Sequence, residues 1–299
     1  MHTRDGFITS WVCVLVLTAA ISVVSYSLYK LRKSLTKQKI VQMAVFAAVI
    51  FALQMLNFPI AKGTSGHFIG AGIATILFGP MAAILILSSV LLVQTFAYGD
   101  GGVFTIGANI VNMGIIASYV TYLVHKQLKK RPLLAAAIAS WSGIIAASIA
   151  TAIELWASKS VGLIEGLYSL VSIYALIGAI EGVITVFIIA CVTKFPSPFT
   201  SRSAFKSTLF PLLITAFSLA AFLPYSSPYP DGLDSMAINL GFYERAITLY
   251  PYALMPNYLS EANNPIFVLI AGLIGMALTF ITNLAITALI GRYHGRHTL

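Results

Sequence analysis

The sequence predicts an all-α protein that threads a membrane, and three observations predict it. Of 299 residues, 59% are hydrophobic and 9% charged, with 18 basic and 9 acidic side chains. A soluble domain gives about a quarter of its residues to charge. Apolar runs near the roughly 20 residues needed to cross hydrocarbon recur along the whole chain. The basic residues gather in alternate loops, as membrane orientation requires. Together these exclude a soluble enzyme, a disordered chain and a secreted disulfide scaffold. Cys13 and Cys191 supply neither a disulfide framework nor a metal-ligand spacing.

Nine runs follow in order: Ile8–Tyr29, Ile40–Phe58, Phe68–Phe78, Met81–Tyr98, Val103–Val124, Leu133–Ala157, Leu167–Val192, Thr208–Leu223 and Ile266–Ile290. The third is too short to cross alone, and Gly79-Pro80 ends it. The irregular Pro59 to Gly66 before it reads as backbone dipping into the bilayer, which survives only where protein buries it or where it lines a cavity. The polar stretch 194–207, with Pro196 and Pro198, reads as a cytoplasmic linker. It divides a seven-run domain, 1–193, from a two-run unit, 208–299, built around a long external loop containing Pro230-Asp231-Gly232-Leu233.

With nine crossings, one set of loops holds 14 of the 18 basic residues and the other only Arg4, Lys62, Lys159 and Arg245. The N-terminus is therefore expected outside and the C-terminus in the cytoplasm. Seven acids, Asp5, Asp100, Glu165, Asp231, Asp234, Glu244 and Glu261, fall outside; Glu154 and Glu181 fall within runs. The net charge of +9 reads as topology plus attraction to anionic lipid, not as a nucleic-acid surface. One Arg precedes the first run and five basic residues follow it, the order of an anchor rather than of a cleaved signal, so Met1 is expected to be retained.

Two of the five histidines, His2 and His67, lie on the outer side, whereas His125, His294 and His297 sit beside basic residues at the opposite face. A histidine in second position has a chemical consequence. The Met1 amine, the deprotonated His2 backbone nitrogen and His2 Nδ1 can close a five- and a six-membered chelate ring on one ion. The His67 imidazole can complete four nitrogens in a plane, a set that favours Ni(II) or Cu(II) ahead of Co(II). Other chemistry is also open. Gly63-Thr64-Ser65-Gly66 has the G-x-S-G form of a rhomboid-like intramembrane serine protease, although only terminal His2 could serve Ser65 as base. Substituting Ser65 is expected to matter little to ion capture. Glu181, with Glu154, could serve a proton-coupled transporter, or be a hydrogen-bonded carboxyl between packed helices. No Gly-Lys dipeptide occurs, so ATP binding by a P-loop would fall to a partner.

These residues carry a resemblance. Met1-His2-Thr3-Arg4-Asp5-Gly6-Phe7 resembles the opening of the CbiM/NikM family, the substrate-capture subunits of energy-coupling-factor (ECF) transporters for cobalt and nickel. The likeness continues in Gly63-Thr64-Ser65-Gly66-His67, Phe78-Gly79-Pro80, Tyr98-Gly99-Asp100-Gly101-Gly102, Gly107-Ala108-Asn109, Asn112-Met113-Gly114 and Ile177-Gly178-Ala179-Ile180-Glu181-Gly182. The Pro-Asp-Gly-Leu of the last third resembles the small PDGLE-type, CbiN/NikN-like subunit, here fused to the first.

The resemblance implies a seven-helix ECF S-component-like bundle plus two further transmembrane helices. It also implies metal ligands at Met1, His2 and His67, a transmembrane coupling (T) subunit and ATPase (A) subunits as partners, and no catalytic residue or resident cofactor, the ion being cargo. The chain departs from the family at Thr3-Arg4, where Ile-Pro is commoner, and at Asp234, where the module has Glu. The first departure is expected to leave the path into the site less restrained, with the Arg4 charge offset by Asp5.

Overall fold

A computed structural model describes residues 1–61, 63–194, 221–256 and 264–291. Most of the 194–207 linker, most of the run Thr208–Leu223, Lys62, Glu261, His294 and His297 lie outside the described residues. Seven helices are long and apolar enough to cross a membrane among those described: α1 Ser10–Leu31, α2 Lys37–Met55, α4 Pro80–Tyr98, α5 Ile106–Gln127, α6 Pro132–Ala157, α7 Leu163–Lys194 and, near the C-terminus, α9 Pro265–Gly291. The protein is thus a multi-pass, all-α membrane protein, as its composition predicts.

Between α2 and α4 lie a hairpin of two short strands, β1 Phe58–Ala61 and β2 Thr64–Gly66, and an eight-residue helix, α3 Ala71–Phe78. The irregular stretch of the sequence reading is therefore an antiparallel hairpin, pairing Phe58 with Gly66 and Pro59 with Ser65. Its backbone polar groups pair partly across the two strands and partly with residues outside the hairpin, as the Ser65 amide does with Pro230 O (2.8 Å), so it can stand beside apolar helices. The short third run is α3. Gly79, at φ +85°, turns the chain out of it, and Pro80 opens α4 at the first helical position, where a missing N–H costs nothing.

Two helices widen into π turns, α4 at Gln94–Tyr98 and α5 at Ile110–Ile116. Such turns are frequent at functional sites, because the extra residue re-aims its neighbours. Here Gln94 and Asn109 stand at their starts and turn toward the N-terminal segment. The last helix is part of the same bundle. Gly275 of α9 lies under Phe51 and Tyr98, where any side chain would clash, and Asn283 Nδ2 donates to Ser89 Oγ (2.9 Å) and Leu85 O (3.3 Å).

At one end of the bundle the N-terminal segment, the hairpin and residues 223–256 close over the helices. The latter stretch carries one short α-helix, α8 Gly232–Asn239, capped by Asp231, between two 3₁₀ turns at Leu223–Tyr225 and Tyr243–Arg245. At the far end lie Lys30, Arg32, Lys126, Lys129, Lys130 and Arg131, at the helix termini and turns there.

Candidate metal centre

The first five residues are drawn into the bundle and fixed by their backbone. Thr3 N donates to Asn109 Oδ1 (2.8 Å), and Thr3 O accepts from Thr105 Oγ1 (2.6 Å), Gly102 N (2.9 Å) and Asn109 Nδ2 (3.3 Å). The Asp5 carboxylate takes the amides of Val103, Phe104 and Thr105 at 2.9–3.1 Å. Gly101, at φ +85°, makes the turn, and at Gly102 a Cβ would overlap Asp5 itself. The expectation of a loosely restrained path is therefore corrected: hydrogen bonds replace the stiffness that a proline would supply. Nor does Asp5 offset Arg4. The Arg4 guanidinium grips Asp234 instead, through Nε–Oδ1 at 2.9 Å, Nε–Oδ2 at 3.1 Å and Nη2–Oδ2 at 2.6 Å. The two departures from the family pattern meet as one ion pair.

This anchoring buries Met1, His2 and His67 together. The Met1 amine lies 3.1 Å from His67 Nε2, and the two imidazoles stack with centroids 5.0 Å apart. Each ring has one nitrogen set against an uncharged oxygen acceptor. His67 Nδ1 lies 3.1 Å from Phe68 O, an acceptor only, which fixes its proton on Nδ1 and frees Nε2 as a donor atom. His2 Nε2 lies 3.0 Å from Gln94 Oε1, which leaves Nδ1 with the free lone pair the chelate ring needs. His2 Nδ1 in turn faces Asp100 at 3.5 Å, and Asp100 is 37% exposed, so the centre has a carboxylate on its solvent side.

Burial pushes both imidazoles below their ordinary 6.5. For His67 the amine and His2 add to that, and for His2 the nearby Asp100 partly opposes it. Neutral imidazoles are the metal-binding form.

One member of the cluster is absent from the sequence reading. Asp231 Oδ2 lies 2.6 Å from the Met1 amine, and donor atoms of His2, His67 and Asp231 all lie within 4.8 Å of one another. Burial favours the neutral carboxyl, but the amine, His67 and the Asp234 amide outweigh it and hold Asp231 below the usual carboxylate range. Its signal was the Pro-Asp-Gly-Leu motif, read as a mark of kinship rather than as a donor. Ser65, a candidate nucleophile, donates to Tyr229 O (2.7 Å) and Pro230 O (3.2 Å), while its amide donates to Pro230 O (2.8 Å). Its hydroxyl thus holds the backbone beside Asp231. That gives Ser65 a task near the site, where little effect was expected.

Glu181 lies apart from the cluster and supports it. Its carboxylate accepts from Ile69 N (2.7 Å), Gly70 N (3.1 Å) and Ser140 Oγ (3.4 Å), anchoring the backbone that leads from His67 into α3. Glu154 accepts from Asn112 Nδ2 at 2.8 Å, beside the π turn of α5.

Comparison with known proteins identifies the family. The family model for the cobalt uptake substrate-specific transmembrane region, CbiM, matches residues 2–198. A provisionally named fused nickel transport protein NikMN of Archaeoglobus fulgidus is 33% identical over 298 residues, covering 96% of this chain and 98% of its own. The fused nickel transport protein NikMN of Rhodobacter capsulatus is 34% identical over 161 residues, 52% of this chain and 46% of its own. The crystal structure of a truncated transition metal transporter superposes with a TM-score of 0.60 at 31% identity, over 65% of this chain and 99% of that one. The sequence match over two-thirds of the chain, the shared fold and the full-length relative together show that the chain belongs to the CbiM family, with a NikN-like C-terminal part fused to it.

Proposed function

We propose that this chain is the ion-capturing membrane subunit of an ATP-driven ECF importer for Ni(II) or Co(II), holding the ion through the Met1 amine, His2 and His67. The observation that carries the reading is the meeting of that amine with two imidazoles in one buried cluster, the amine 3.1 Å from His67 Nε2. Four nitrogens in a plane suit d⁸ Ni(II). The relatives named for nickel transport support the same cargo. A T subunit and A subunits supply the energy, since the chain has no Gly-Lys dipeptide for a P-loop. The chain performs no covalent catalysis of its own. It lies in the plasma membrane with the centre outside, a topology supported by the basic residues at the opposite end.

The test is competitive loading with Ni(II) and Co(II), read by metal analysis and absorption spectroscopy, on protein whose N-terminus is verified as Met1 by mass spectrometry. One ion per chain is expected, and the same protein with one residue added before Met1 should lose tight binding while staying folded. Equal affinity in the extended protein would overturn the amine as ligand. A proton-coupled carrier would instead give uptake in vesicles holding this chain alone under a pH gradient, abolished by Glu181→Gln. Partner-dependent capture expects no such uptake.

A further inference from the structure

We propose that Asp231, brought in by the C-terminal part of the chain, is itself a ligand of the captured ion, so that the fused part completes the coordination sphere. The proposal rests on the reading that the Met1–His2–His67 cluster is the ion site, and three observations carry it.

The first is aim. Asp231 caps α8, and Oδ1 is spent on that cap, accepting Asp234 N at 2.8 Å. Oδ2 is left to point at the amine, 2.6 Å away. Donors bound at about 2 Å from one ion stand roughly 3–4 Å apart. The 4.8 Å limit that encloses Asp231 with the two imidazoles therefore needs only a slight contraction.

The second is rigidity. The residues around Asp231 are pinned to the capture domain. Tyr229 O and Pro230 O are held by Ser65, Ser235 Oγ lies 2.7 Å from Thr64 Oγ1, and Asp234 is gripped by Arg4. Gly232 packs so closely on Ile173 and Tyr174 that a Cβ there would stand 2.8 Å from the Ile173 side chain. A carboxylate merely trailing on a surface loop would need none of these.

The third is charge. A divalent ion bound by a neutral amine, one deprotonated amide and two neutral imidazoles leaves a unit of positive charge in a buried site. An uncompensated charge there is costly, and the Asp231 carboxylate cancels it. On loading, one proton leaves the ammonium and one leaves the His2 backbone amide, both to water; the two nitrogen–metal bonds form, and Oδ2 exchanges its ammonium partner for the ion without changing its own protonation. An oxygen donor out of the nitrogen plane also raises the coordination number above four, which makes room for Co(II) beside Ni(II).

The experiment compares the full chain, Met1 intact, with Asp231→Asn and Asp231→Ser, each loaded with Ni(II) alone. Asn and Ser cap helices about as well as Asp, so α8 and its contacts are retained, and thermal unfolding of the ion-free proteins checks that they are. X-ray absorption should show an oxygen donor above four-coordination in the wild type. Both variants should show a planar four-nitrogen site, with affinity lower by about 10–100-fold. Unchanged spectra and affinity would overturn the proposal while leaving capture by Met1, His2 and His67 intact. Weaker binding with the oxygen donor still present would also overturn it, because Asp231 would then act only as a counter-charge. A wild type that takes up no Ni(II) would bring down the capture reading itself.

Discussion

Replacing Arg4 by Leu should weaken ion capture more than removing both Arg4 and Asp234. The guanidinium bonds both oxygens of Asp234, at 2.6–3.1 Å. The Arg4 side chain is 41% exposed and that of Asp234 only 11%. An exposed ion pair contributes at most about 1 kcal/mol, whereas a hydrogen bond to a charged group contributes about 1.5–3 kcal/mol. Solvent reaches the Arg4 side, so a coupling of about 1–2 kcal/mol is expected, which is roughly 5–30-fold in an equilibrium constant. The effects are asymmetric. Burial and then Asp231 already push the Asp234 carboxyl up, and Arg4 is what opposes them. Without Arg4, a nearly buried acid stands beside Asp231 with no partner, and part of that penalty vanishes when Asp234→Asn is added. The assay is a double-mutant cycle of Ni(II) affinity across wild type, Arg4→Leu, Asp234→Asn and the double variant. Strict additivity of the two single effects would refute the clasp as an energetic unit.

Four further outcomes are expected. Gly102→Ala places a Cβ onto Asp5, and overpacking of this kind costs about 1–3 kcal/mol; thermal unfolding and Ni(II) affinity should both fall, and an unchanged affinity would mean the N-terminal segment binds in another position. His67→Ala should weaken Ni(II) binding at least about 100-fold, measured by competition with a chromogenic chelator. Glu181→Gln sets an amide N–H₂ against Ile69 N or Gly70 N, so the protein should lose about 1–3 kcal/mol of stability in a denaturation series. Because burial, first among the causes, pushes the His67 imidazole below its ordinary 6.5, its contribution to stability is complete above about pH 6.5 and is lost as pH falls toward the depressed value. Ion affinity should fall in the same direction, by roughly tenfold per pH unit for each proton displaced, and a flat titration from about pH 8 to 5.5 would contradict nitrogen ligation.

Much of the fold was legible because lipid is a severe solvent. The apolar runs had to be helices, since nothing else satisfies a lone spanning backbone, and their ends fell close to Ser10, Tyr98 and Ala157. The hairpin at Phe58–Gly66 was not legible. Its signal was only an absence of helical pattern between Pro59 and Gly66, and four-residue strands carry too little periodicity to register. The π turns of α4 and α5 were invisible for a related reason: one extra residue per turn leaves composition unchanged. Within the site, Met1, His2 and His67 could be named because five- and six-membered chelate rings constrain which atoms can share an ion. Gln94, Asn109 and Ser65 could not, because each acts through a hydrogen bond whose partner is 92 to 165 residues away in a chain whose packing the sequence does not disclose.

The tail's part in the site follows from that same distinction. Ring closure discloses candidate donors close in sequence, so it pointed to the amine and His2, and it called for a fourth atom, for which His67 was the candidate. It had no means of requiring a fifth from residue 231. Yet the structure ties the two ends of the chain at four separate places: the amine with Asp231, Arg4 with Asp234, Asp5 O with Ile247 N, and Ser160, which takes Phe7 O and faces Arg245. Ties this numerous make the N-terminal segment and residues 223–256 one closing unit. If so, loosening any tie should act on the ion's escape as well as on its equilibrium affinity. Arg245→Ala, whose side chain bonds Lys159 O and Ser160 Oγ rather than any proposed ligand, should then speed Ni(II) release in a stopped-flow chelator chase, with the absorption spectrum of the bound ion unchanged. An Arg245→Ala protein that releases the ion at the wild-type rate would show instead that the clasp around Met1 holds by itself.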